Sequence, residues 1–178
     1  PSKLLSKARD TQRTNDLINL EKAIATLYIT EPNFSELDYV STSIVYISLK
    51  SNDPDCSEYL SQLPNLPSGY SYRCSNNPSN LDGTGWIPIP FSNFKSLNLP
   101  KLFIDPINKP PYYYTFTVNN NGFEITALKE NNNEEILVSS LNERIIPISR
   151  GSQENNMVTT FLKTFKLSNY TNESIVYL

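Results

Sequence analysis

Residues Ser2–Thr30, SKLLSKARDTQRTNDLINLEKAIATLYIT, predict one continuous α-helix, on which the rest of the fold depends. In its second half, apolar side chains follow helical spacing and form a stripe that we expect to pack on a core: Leu17, Leu20, Ile24, Leu27 and Tyr28. From Ser6 to Asp16, only Ala8 has apolar character. At 1.5 Å per residue the helix is roughly 43 Å long, longer than a small domain is wide. We therefore expect its polar first half to gain nothing from its own domain and to project from it.

The rest of the chain predicts a β-rich domain after the helix, which ends near Thr30 because Pro32 disfavours helical geometry before it. A turn of helix capped by Ser35 comes next. Strands are expected at 44–49, 70–74, 112–118 and 123–129, with a hairpin turn at 119–122. Segment 86–91 is apolar, but its two prolines bar it from a central strand. Weaker patterns predict strands at 135–138 and 144–148 and a helix at 157–165.

The predicted fold class is α+β. The chain divides into a helix (1–31), a sheet domain (32–130) and a C-terminal extension (131–178) of unknown role.

Composition excludes several classes of function. The chain has 178 residues, 38% of them apolar, which suits one folded domain. It contains no histidine, and so lacks the commonest acid–base group and zinc ligand; we predict no enzyme activity. A net charge of −3 gives no general attraction to nucleic acid or anionic lipid. The longest apolar runs are only a few residues, too short to span a membrane.

The two cysteines, Cys56 and Cys74, have no neighbouring cysteine or histidine in the sequence. Two ligands do not make a structural zinc site, so the choice lies between a disulfide and two free thiols. We favour the disulfide, which would place the chain in an oxidising compartment.

Two parts of the sequence carry a family resemblance. The segment SKARDTQR at 6–13, followed by the apolar stripe, resembles the part of a type IV pilin or type II secretion pseudopilin helix that follows its membrane half. Downstream, the order VYISL, LPSGYSYRC and DGTGWIP, from Val45 to Pro88, is similar to prepilin-type proteins of bacterial candidate phyla. Further matching stretches extend to about residue 130. The cleavage site and the glutamate near the mature N-terminus that mark the family are absent.

The resemblance implies a long helix packed on an antiparallel sheet, with the membrane half of the helix missing before Pro1. It implies a structural subunit that is anchored in the inner membrane and then polymerises with copies of itself or related pilins into a cell-surface filament. We predict that the front of the helix supplies the subunit contacts through Lys7, Arg9, Asp10, Arg13 and Asp16. The plainer interpretation is a solvated helix face held by Asp10–Arg13 and Arg13–Asp16 ion pairs.

Two other functions remain open at this stage. A minor tip pilin, adhesin or carbohydrate-binding module would use a platform of aromatic side chains, Trp86 and Tyr112–Tyr114. Calcium, which some pseudopilins bind, would be held by Asp82, Asp105 and Asn108, although their spacing matches no calcium loop. The plainer interpretation of the aromatic residues is that they pack in the core, and that of the proposed calcium ligands is that they are solvated side chains in turns.

Overall fold

The computed structural model describes residues 2–119, 122–131, 135–141 and 175–177. Helix α1 spans Ser2–Thr30, as predicted, and a short 3-10 helix at Glu36–Asp38 is capped by the Ser35 side chain. The strands are β1 (Ile44–Lys50), β2 (Ser71–Ser75), β3 (Thr115–Asn119), β4 (Gly122–Leu128), β5 (Glu135–Leu141) and β6 (Ile175–Tyr177). The α+β class predicted from the sequence is therefore confirmed.

The described strands form one sheet in the order β2-β1-β3-β4-β5-β6. The expectation of an antiparallel sheet is wrong at both edges of the sheet, because β2 pairs with β1 in parallel and β6 pairs with β5 in parallel. A parallel pair needs a crossover connection instead of a tight turn, and residues 51–70 supply it between β1 and β2. The predicted hairpin is confirmed: Asn119 pairs with Gly122, whose φ of 144° is readily accessible only to glycine.

Part of the predicted C-terminal extension belongs to the sheet. Strand β5 pairs with β4 along its whole length, from Leu128 opposite Glu135 to Gly122 opposite Leu141. The strand predicted at 144–148 and the helix predicted at 157–165 lie outside the described residues.

The main core lies between α1, one face of the sheet and the proline-containing segment 86–91. Its largest fully buried side chains include Trp86, Tyr114 and Phe116. A second apolar cluster lies on the other face of β1, since Val45, Ile47 and Leu49 alternate with the core residue Tyr46. Helix α1 is thus seated on one face, and the crossover 51–70 contributes to the cluster on the other.

Candidate functional site

The first half of α1 carries a buried cluster of charges centred on Arg13, whose side chain is 0% exposed. Its Nε and Nη2 donate to the two carboxylate oxygens of Asp105, at 2.6 and 2.9 Å. Its Nη1 donates to Asp10 and to Glu130, both at 2.7 Å. The guanidinium also lies 5.0 Å from the ring centroid of Tyr112, within cation–π range. One cation therefore joins three carboxylates.

These carboxylates come from three separate parts of the chain. Asp10 lies one helical turn before Arg13. Asp105 lies in an irregular segment, where its Oδ1 also accepts hydrogen bonds from the backbone N–H groups of Ile107 and Asn108. Glu130 lies two residues beyond the end of β4. The cluster thus fastens the helix both to the segment before β3 and to the turn after β4.

Hydrogen bonds from the turn after β4 keep Asp10 ionised. Burial opposes its charge, but its carboxylate accepts from the backbone N–H groups of Glu130 and Asn131, at 2.9 and 3.0 Å. The side-chain amide of Asn131 adds a third bond at 2.8 Å. Together these bonds and Arg13 hold the pKa of Asp10 below its usual value.

Glu130 is shared by two arginines. Arg9 donates to it from Nε at 2.7 Å, in addition to the bond from Arg13. The hydrogen bond from Arg9 is the main cause that lowers the pKa of Glu130, and Arg13 contributes further. We call Arg13, Asp10, Asp105, Glu130 and Arg9 the Arg13 cluster.

Asp16 lies one turn further along α1 and makes a different contact. Its Oδ2 accepts a hydrogen bond of 2.8 Å from the hydroxyl of Tyr114, which is fully buried. Burial raises the pKa of Asp16, although the bond from Tyr114 acts in the opposite direction. Burial and the nearby Asp16 carboxylate likewise raise the pKa of Tyr114.

The structure corrects the expectation that the front of α1 gains nothing from its own domain. Asp10, Arg13 and Asp16 are buried against the same chain, so their side chains do not face neighbouring subunits as predicted. Of the five predicted interface residues, Lys7 is exposed and Arg9 is one-third exposed while paired with Glu130. The predicted Asp10–Arg13 pair forms, but as a buried contact and not on a solvated face.

The residues predicted to pack the helix lie in or against the main core. Leu17, Leu20, Ile24 and Leu27 are fully buried there. Tyr28 is half-buried against the same core, and its hydroxyl donates to the buried Glu36.

The predicted disulfide between Cys56 and Cys74 is confirmed, with 5.3 Å between the two Cα atoms. It joins the crossover 51–70 to strand β2 and lies within the second apolar cluster.

The three residues considered as an alternative calcium site, Asp82, Asp105 and Asn108, do not fit one. Both oxygens of Asp105 accept hydrogen bonds from Arg13, and the Asn108 amide exchanges two hydrogen bonds with Ser48. The carboxylate of Asp82 accepts from the backbone and hydroxyl of Thr84 in its own turn. Within the described part of the chain, His, Cys, Asp and Glu side chains form no group of three that could hold a metal ion.

The alternative of a sugar-binding platform loses two of its residues, and the plainer interpretation as core aromatics holds for them. Trp86 and Tyr114 are buried, and the Trp86 indole N–H donates to the Phe103 carbonyl at 2.8 Å. Stacking on a sugar ring needs an exposed aromatic face, so neither residue can supply it in this fold. The ring of Tyr112 contacts Arg13.

One sequence signal could have revealed the Arg13 cluster. Asp10 and Arg13 continue the three- and four-residue spacing of Leu17, Leu20 and Ile24 toward the start of the helix. The buried stripe of α1 is therefore continuous, but its front portion is charged. The partners Asp105 and Glu130 carry no local pattern that identifies them.

Comparison with known proteins finds no matching family model, no similar curated protein and no similar solved structure. Among the described residues, no helix combines the length and apolar character that crossing a bilayer requires.

Proposed function

We propose that this protein is a structural subunit, a pilin or pseudopilin, of a type IV pilus or type II secretion-like filament. The observation that carries the proposal is the attachment of α1 along one side. The Arg13 cluster holds its first half and the leucine stripe holds its second half. A long helix fixed in this way is a rigid rod that can stack with copies of itself.

The contacts between subunits then come from the side of the rod that faces away from the domain. In the middle of α1, the exposed residues on this side are polar and mostly uncharged: Thr11, Gln12, Asn15, Asn19 and Lys22. This face replaces the buried charges as the proposed contact surface.

The proposal includes an apolar segment encoded before Pro1, which holds the protein in the inner membrane and then forms the filament core. Assembly places the protein at the cell surface, an oxidising location that suits the Cys56–Cys74 disulfide. A repeated head-to-tail contact that does not close produces an open fibre. The alternative of a tip adhesin retains no support from Trp86, which is buried.

The test is fibre assembly by the full-length gene product in its own cells, measured by electron microscopy and by the protein in the sheared fraction. The variant Asn15→Arg/Asn19→Arg places two bulky charges on the exposed face of α1. The variant Asn52→Arg/Asn65→Arg makes the same two changes at exposed positions of the loop at 51–70 and serves as the control.

We expect few or short fibres from the helix variant and normal fibres from the loop variant, with both proteins folded by circular dichroism. Normal fibres from both variants would contradict the proposed contact face. A gene with no apolar segment ahead of Pro1 would contradict the proposed function itself.

A further inference from the structure

The turn that follows α1 holds a sequence pattern that the proposed function does not use. Residues Asn33-Phe34-Ser35 fit Asn-X-Ser/Thr, the acceptor pattern for N-linked glycosylation. In so asparagine-rich a chain the three letters alone carry little weight, and the pattern recurs at Asn169 and Asn172, outside the described residues. The place of Asn33 in the fold is what supports a site here.

Asn33 lies at the corner of a β-turn. The backbone N–H of Phe34 donates to the carbonyl of Glu31 at 3.0 Å, so Pro32 and Asn33 are the two central residues of the turn. Proline suits the first of these positions because its φ is fixed, and asparagine is a common turn residue. Asn33 is exposed. Its carboxamide is therefore accessible to an enzyme that transfers a sugar.

Exposed apolar side chains flank this turn. Of the six large hydrophobic residues that are exposed within the described part of the chain, three lie within six residues of Asn33: Ile29, Leu37 and Tyr39. Ile29 is 73% exposed. Tyr39 stacks on Phe34, the middle residue of the acceptor pattern, with 6.2 Å between the ring centroids. A local concentration of exposed apolar surface indicates something that covers it, and a glycan is both bulky and solubilising.

We propose that Asn33 is the attachment site of an N-linked oligosaccharide, which covers the apolar side chains around the turn. The donor is an oligosaccharide carried on a lipid pyrophosphate. The carboxamide nitrogen of Asn33 bonds to the anomeric carbon of the sugar, and the bond from that carbon to the pyrophosphate oxygen breaks. The lipid pyrophosphate leaves, and the amide loses one proton to a base of the transferase.

Such a transfer belongs to secreted and surface proteins. The Cys56–Cys74 disulfide suits the same oxidising location. The inference therefore shares export with the proposed function, but it does not depend on filament assembly.

The experiment measures the mass of one tryptic peptide of the protein isolated from its own cells. The peptide is residues 23–50, in which Asn33 is the only asparagine. The test variants are Asn33→Gln and Ser35→Asn. Asparagine caps a helix about as well as serine does, so Ser35→Asn removes the acceptor pattern and retains the cap of the 3-10 helix. The controls are Ser35→Thr, which keeps the pattern, and Asn65→Gln, which makes the same change at an exposed position outside it.

We expect the mass of a glycan on this peptide in the unaltered protein and in both controls, and its complete loss in both test variants. Asn33→Gln should also bind more of an apolar dye than Asn65→Gln, because the side chains around the turn are uncovered. A peptide of the unaltered protein at the mass of its sequence would overturn the proposal.

A glycan that persists in either test variant would also overturn it and would assign the sugar to a serine or threonine. Equal dye binding by Asn33→Gln and Asn65→Gln would overturn the covering role. An unmodified peptide from a protein that still forms fibres would reject the glycan and leave the proposed filament standing.

Discussion

Replacement of Arg13 by methionine tests whether the front of α1 is fastened by charge. Methionine retains most of the length and volume of the side chain but leaves Asp10, Asp105 and Glu130 without their shared cation. Arg13 makes four hydrogen bonds and is fully buried, and removal of one partner from a buried ion pair costs about 3–5 kcal/mol. That is a large part of the roughly 5–15 kcal/mol that stabilises a typical domain.

The matched control is Arg73→Met, because the chain offers an exposed ion pair of the same type. Arg73 lies 3.7 Å from Asp55, and both side chains are largely exposed. Such a pair contributes about 0–1 kcal/mol. Urea unfolding, followed by the fluorescence of the single, buried Trp86, measures both variants against the parent protein.

The pH dependence of the free energy of unfolding distinguishes the loss of ion pairing in Arg13→Met from the loss of packing. The pKa values of Asp10 and Glu130 are lowered in the folded protein. Their contribution to the free energy of unfolding is therefore present above their unfolded pKa values, near 4, and is lost as the pH falls through the folded values. Arg13→Met lacks part of this contribution at pH 7, so its deficit should shrink below about pH 4. A loss of stability at pH 7 no larger than that of Arg73→Met would show that the buried ion pairs do not fasten the helix, and a loss independent of pH would assign the effect to packing.

Three further predictions use the same urea assay. Tyr114→Phe removes the hydrogen-bond donor to the buried Asp16 and should cost about 1–3 kcal/mol of stability. Because burial raises the pKa of Asp16, its contribution to the stability of the parent protein should decline as the pH rises from the pKa of Asp16 in the unfolded chain through its pKa in the folded protein. Asp16→Asn should abolish that decline. Replacing both Cys56 and Cys74 by alanine should cost about 3 kcal/mol, and a change below 1 kcal/mol would contradict the expected loop-closure effect. Gly85→Ala should cost about 1–3 kcal/mol, because its Cβ would lie 2.2 Å from a backbone carbonyl oxygen, and an unchanged unfolding midpoint would show that the loop yields freely.

The sequence predicted the parts of this fold that depend on local chemistry. Proline after Glu31 and the helical spacing of the leucines define α1, and glycine at 122 defines the hairpin. The parallel pairing of β1 with β2 was missed because alternating side chains do not encode the direction of the neighbouring strand. The disulfide was predicted because two cysteines admit only one pairing.

Arg13 shows why the candidate site was misjudged. A charged residue on a helix is usually solvated, and burial becomes favourable only when its partners are in place. Asp105 lies 92 residues away and Glu130 lies 117 residues away, so no local window contains the whole group. Polar character alone therefore indicated solvent or a neighbouring subunit, whereas the partners are in the same chain.

The placement of Arg13 also decides which experiments can report on assembly. Charge reversal at Arg13 would put a fourth carboxylate among Asp10, Asp105 and Glu130, and the domain would lose stability before any contact between subunits was tested. Loss of fibres in such a variant would not distinguish a filament contact from a folding defect. Asn15 is exposed on the opposite side of the same helix, so its substitution alters the outward face and leaves the cluster intact. Fibre loss in a folded Asn15 variant therefore carries information that fibre loss at Arg13 cannot.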